Sequence, residues 1–334
     1  MNNQINFLRS LACFLVILMH TSGPNFYNSW GDKYWWAANF FNSFTHVCIP
    51  LFFMISGSLL LGKEEPLGAY FKKRILRIVP PLVFWGLFYL LYLQHNGKMV
   101  NWGNDMLASP PMYHLWYLYA ILGFYAFLPV IRKFVLYSRL SEVWWFIATW
   151  FIVGSVWPTA LSLYSDTQCG FNRLGMLSNI YHLEYFGGYL GYFVLGFGLS
   201  KLKGNFKTGM LAYVSLSILT MALVYMQSKK IGVPCQFFNE YLSPLTVLSA
   251  AALFWGTMSM EIENARFWKK ISDATLGIYC VHVVVIGGLF ELFQFTARRG
   301  NPWFSTPLVA ISAFIICFFS IYILRLIKPF RVVL

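Results

Sequence analysis

The chain has 334 residues, of which 58% are hydrophobic, 20% aromatic and only 11% charged. Soluble domains average about 25% charged residues, so this chain cannot cover itself with polar surface and lipid must be its solvent. That excludes a disordered chain, a disulfide-stapled secreted scaffold, a coiled coil and an ordinary cytosolic enzyme, and it makes the formal charge of +13 a mark of retained cytoplasmic loops rather than a nucleic-acid footprint.

Ten apolar stretches are read as membrane spans, at 5–23, 37–61, 75–94, 113–131, 142–161, 180–200, 209–227, 241–260, 274–294 and 305–326. At about 1.5 Å per residue, about 20 residues cross a hydrocarbon core of about 30 Å. The expected fold is an all-α polytopic transmembrane bundle, one domain over 1–334. No cleavable signal is expected, because the first apolar run lacks a small-residue cleavage site after it. With the N-terminus inside, 18 of the 25 Lys and Arg residues fall on inner segments and seven on outer ones. That asymmetry predicts both termini in the cytoplasm.

Candidate functional residues follow in chain order. Arg9 and His20 both sit in the first span, where ionisable groups are costly. Eleven residues make about three turns, so the two side chains share one helix face roughly 16 Å apart. Arg9 either snorkels to headgroups or binds an anion, and His20 is either a packed helix-end histidine or a catalytic one. In Pro50–Gly57, the Ser56-Gly57 pair reads as a close helix contact rather than a nucleophile. Arg74 and Arg77 lie one turn apart and are expected to face the same way, ahead of Pro80 and Pro81, which are expected to reset the chain into the third span. They serve either topology alone or phosphate clamping.

His114, Trp116 and Tyr117 open the fourth span, Glu184 is the isolated acid of the sixth, and His282 lies in the ninth. Glu184 could orient a histidine, bind a substrate hydroxyl or simply pair at a span end. No HExxH or CxxC spacing is present, so no metal is expected. Cys13, Cys48, Cys280 and Cys317 fall in spans and read as small packing residues. Cys169 and Cys235 fall in outer loops; an oxidising outer side would permit a bridge, which sequence spacing alone does not decide.

Taken in order, Arg9 with His20, PLFFMISG at 50–57, Arg74 with Arg77, YHLWY at 113–117 and LGIYCVH at 276–282 resemble the signatures of the acyltransferase 3 family of integral-membrane acyltransferases. Within that family the chain is similar to the enterobacterial-common-antigen type of O-acetyltransferase, in the stand-alone form with no fused extracytoplasmic esterase-like domain. The resemblance implies O-acyl transfer, expected to be O-acetyl transfer, in the bacterial cytoplasmic (inner) membrane. The donor would be cytoplasmic acetyl-CoA or another acyl-CoA. The acceptor would be a hydroxyl of an extracytoplasmic or lipid-linked surface glycan.

Membrane lipid is the other expected partner, nucleic acid is not expected, and homo-oligomerisation is left open. On this reading Arg9, Arg74 and Arg77 hold the CoA head. His20 acts as general base, with Glu184 as an orienting or acceptor-binding acid. His114, Trp116, Tyr117 and His282 contact the substrate or the developing oxyanion. The alternative is a small-molecule or amino-acid transporter that uses His20 and Glu184 as a proton relay.

Overall fold

The structure, a computed structural model, describes residues 2–164, 169, 188–293 and 300–334. It is all-helical, with no strand among the described residues. In chain order the helices are α1 (Asn2–Asn28), α2 (Lys33–Thr45), α3 (Cys48–Leu60), α4 (Leu67–His95), α5 (Trp116–Tyr137), α6 (Leu140–Phe151), α7 (Trp157–Tyr164), α8 (Leu190–Ser200), α9 (Phe206–Ile231), α10 (Pro244–Thr257), α11 (Ala265–Phe293) and α12 (Pro302–Leu324).

Among the described residues, eight helical stretches are long and apolar enough to cross a membrane. α2 and α3 together form one of them, broken at His46 and Val47, and α6 with α7 forms another through a π-helical turn at Ile152–Val156. The chain is thus a multi-pass membrane protein. One of the ten expected spans is too short to cross a membrane as a single helix. It is the eighth, α10, whose 14 residues reach only about 21 Å. Of the sixth, residues 188–200 lie among the described residues, and there α8 is 11 residues long.

α1 and the α2–α3 pair are the centre of the bundle: 67% and 72% of their apolar windows are buried, against 28–39% for the other six spans. α1 packs against α2, α3, α11 and α12. Gln4 reaches the Met260 carbonyl before α11, and Arg325, at the end of α12, reaches the Asp273 carbonyl. Both termini therefore lie at the same end of the bundle.

The prolines of α4 behave differently from expectation. One helix runs from Leu67 to His95 straight through Pro80 and Pro81. Each proline removes one helical N–H, a loss that membrane helices tolerate when neighbouring groups cover the freed carbonyl. Pro24 in α1 has a local effect of the same kind: it deprives the His20 carbonyl, four residues earlier, of its helical donor.

The small-residue reading of Ser56-Gly57 holds. A Cβ on Gly57 would lie 1.9 Å from the Phe193 carbonyl oxygen, and one on Gly196 would lie 2.2 Å from that of Met54. α3 and α8 therefore touch backbone to backbone, which only glycine permits. Cys169 and Cys235 are disulfide-bonded, and the other four cysteines are free and buried. Gly57→Val is expected to destabilise the fold by at least about 3 kcal/mol, because neither backbone can give way as a side chain would. Thermal unfolding in detergent, alongside Gly123→Val at a position where nothing lies within 4 Å of the added Cβ, measures the difference.

Candidate active site

The sequence places Arg9 on α1, and the fold turns it into a cavity of about 130 Å³. The spacing of the lining residues is helical. Phe52, Ile55, Ser56 and Leu59 present one face of α3, and Tyr117, Ile121 and Tyr125 one face of α5. Arg77 enters from α4, and Thr275, Leu276 and Tyr279 enter from α11. Two guanidiniums thus share one small aromatic and hydroxyl-bearing space, with Tyr117 and Tyr279 on its wall.

Arg74 is not on that wall. It bonds Glu65 at 2.6 Å and stacks on Tyr70 at 4.4 Å. Arg132 stacks on the same ring at 5.3 Å and donates to the Glu65 carbonyl at 2.8 Å. Hydrogen bonding from Lys73, reinforced by the charge of Arg74, holds the Glu65 carboxyl below its ordinary range in spite of partial desolvation. Arg74 and Arg77 are about 300° apart around α4, which leaves about 60° between them. That angle is enough to send one guanidinium into the cavity and the other to Glu65.

His20 lies some three turns beyond Arg9 on α1, and three histidines meet there. His20 stacks on His282 at 5.2 Å with the rings 26° apart, and His282 meets His114 edge-on at 4.9 Å. Tyr113 touches His20 edge-on at 5.1 Å, and Tyr279 contacts both His114 and His282. Because Tyr117 also packs on Tyr279, at 5.7 Å, one aromatic pair separates the arginine cavity from the histidine cluster.

Backbone carbonyls organise this cluster. His282 Nδ1 lies 2.6 Å from the Tyr279 carbonyl and His114 Nε2 lies 3.3 Å from that of Cys280. Tyr89 donates its hydroxyl to Cys280 at 2.8 Å, and Tyr279 donates to the carbonyl of His114. His114 and His282 are buried, whereas His20 is partly accessible and makes no hydrogen bond among the described residues. The three rings form no group that could hold a metal ion among the described residues.

Trp116 points elsewhere, stacking on Tyr241 at 5.9 Å and meeting Tyr189 at 5.4 Å. His46, at the α2–α3 break, also packs on Tyr241, at 5.6 Å. Glu184 lies outside the described residues. The expected residues therefore divide: Arg9, Arg77 and Tyr117 line the cavity, and His20, His114 and His282 form the cluster. Arg74 and Trp116 belong to neighbouring constellations. Sequence reasoning assigned no role to Tyr89, Tyr113, Tyr125 or Tyr279. Tyr113 and Tyr279 lay inside the 113–117 and 276–282 stretches, and the four-residue repeat of Tyr117, Ile121 and Tyr125 was the local signal for Tyr125.

Fold and site together define a membrane helix bundle with a basic cavity running toward buried acid–base side chains. The chain belongs to the acyltransferase 3 family: residues 2–324 match its acyltransferase domain. Over 131 residues it is 30% identical to an amino-acid racemase of Enterococcus faecalis, a match covering 36% of this chain and only 17% of that relative. No solved structure matches.

A carbonyl can only accept a hydrogen bond, so the cluster geometry dictates the imidazole tautomers. In ¹⁵N-labelled protein, His282 is expected as the Nδ1–H form and His114 as the Nε2–H form. Ring ¹⁵N shifts assigned through His282→Gln and His114→Gln check both.

Proposed function

We propose that this acyltransferase moves an acyl group, foremost acetyl, from a cytoplasmic acyl-CoA to a hydroxyl of an extracytoplasmic or lipid-linked surface glycan in a bacterial inner membrane. The reading takes the enterobacterial-common-antigen type of O-acetylation as its parallel. The observation that carries the reading is the path of α1. One buried helix puts Arg9 in a basic cavity and His20 in a proton-accepting cluster about 16 Å away. The excess of basic residues at the Arg9 end supports a cytoplasmic donor side.

The residues suit such a donor. Two guanidiniums can bind phosphate oxygens in forked geometry, and neither Arg9 nor Arg77 has a carboxylate ion-pair partner among the described residues. The cavity of about 130 Å³ offers room for a slender acyl-bearing arm beside the two arginines. The phosphates would stay at the mouth with the arginines. Tyr117 and Tyr279 would line the passage, and His20 would receive the acceptor proton. Glu184 is retained in this reading as the orienting or acceptor-binding acid.

The test is purified protein in sealed vesicles, with acyl-CoA supplied on the Arg9 side and glycan on the other. Transfer is expected across the membrane, and His20→Ala should lower it by about 10²–10⁴-fold. Arg77→Ala should weaken adenosine 3′,5′-bisphosphate binding about tenfold or more, the scale of a lost charge-assisted bond, and more than Arg74→Ala does. Uptake of a small solute without any acyl transfer would establish a transporter instead. Equal losses in the two arginine variants would remove the distinction between them.

A further inference from the structure

Acyl transfer from a thioester needs a donor for the oxygen that becomes negative when the carbonyl is attacked. The two histidines beside His20 are disqualified by their own hydrogen bonds. His282 Nδ1 and His114 Nε2 carry their protons toward the Tyr279 and Cys280 carbonyls. Each neutral ring is left with only a lone pair on its second nitrogen. Those second nitrogens, His282 Nε2 and His114 Nδ1, are buried without a partner. They can accept a proton, but as neutral rings they cannot stabilise an oxyanion.

The phenols are narrowed in the same way. Tyr89 and Tyr279 have committed their protons to the carbonyls of Cys280 and His114. Tyr117 lies on the wall of the arginine cavity, and Tyr279 stands between it and the histidines. Tyr113 remains. Its ring meets His20 edge-on at 5.1 Å, it is 56% exposed, and its hydroxyl makes no hydrogen bond among the described residues. It sits in the short turn Tyr113–Leu115 ahead of α5, with its neighbour His114 pointing into the buried cluster. His20 is therefore flanked by Tyr113, whose O–H is uncommitted, and by His282, whose Nε2 is an unpartnered acceptor.

We propose that Tyr113 is a catalytic hydrogen-bond donor of the acyl transfer, a role that rests on the reading of His20 as the base. In the step, His20 takes the acceptor hydroxyl proton as the hydroxyl oxygen bonds to the thioester carbonyl carbon. The carbonyl π pair moves onto its oxygen, and the Tyr113 O–H holds that negative charge. When the carbonyl re-forms, the carbon–sulfur bond breaks and the sulfur leaves with the bonding pair. The His20 imidazolium returns the proton to that thiolate. Tyr113 keeps its own proton throughout.

The experiment compares the unsubstituted protein, Tyr113→Phe and a fluorotyrosine series at position 113, all in vesicles. Tyr113→Phe is expected to lower kcat by about 10²–10³-fold, the usual loss of one oxyanion donor. Both KM values should stay within about threefold and the unfolding midpoint should be unchanged. The fluorotyrosines preserve shape, so they keep the test decisive if the phenylalanine variant folds poorly. With them, kcat should vary systematically with phenol acidity. A kcat within threefold of normal for Tyr113→Phe, a loss confined to acceptor KM, or a flat fluorotyrosine series would overturn the role while acyl transfer stands. Absence of transfer by the unsubstituted protein would instead remove the parent reading, and the role of Tyr113 with it.

Discussion

One turn of α11 carries the site. The carbonyls of Tyr279 and Cys280 accept from His282, His114 and Tyr89, and Tyr279 returns a hydroxyl bond to the backbone of His114. Inside lipid no water is available to satisfy these groups, and an unpaired buried polar atom costs several kcal/mol. The bonds therefore hold α4, α11 and the turn ahead of α5 in one arrangement. They also determine which imidazole nitrogen bears a proton, and so which chemistry each ring can do. His20 lies outside this net and makes no hydrogen bond among the described residues.

Placing that turn against α1 requires dense packing elsewhere. α3 and α8 meet through Gly57 and Gly196 with backbone in direct contact, and α9 and α10 do the same through Gly209 and Gly256. Lipid does not drive helices together as water does, so close contact between small residues supplies much of the attraction. The outcome is an inner group, α1 to α3, against which the more lipid-exposed spans lean.

The second constellation at the basic end has a different character. Glu65 bridges Lys73 and Arg74, while Tyr70 lies between the guanidiniums of Arg74 and Arg132. Arg132 is buried and bonded to the Glu65 backbone, so it fixes the turn between α3 and α4. Charges that look equivalent along the chain thus serve separate tasks. Arg77 faces the cavity, and its neighbours one turn away brace the loop beneath it.

Much of this was legible in the chain. Composition alone required a membrane bundle, because so few charged residues cannot clothe a water-exposed surface. Apolar run lengths located the long spans, helical spacing put Arg9 and His20 on one face, and the small pair at 56–57 announced close packing. What escaped was decided by contacts between distant segments. Nothing near Arg74 says that Glu65 will claim it, and nothing near Trp116 says that it turns toward Tyr241. Cys169 and Cys235 pair because the fold brings positions 66 residues apart together, which no local pattern encodes. The tyrosines and the imidazole tautomers depend on carbonyls from α11, far along the chain from α4 and α5. Sequence determined what lipid solvation demands of each segment in isolation; tertiary structure decided which buried polar group satisfies which, because hydrogen bonding is settled between partners and not by any one of them.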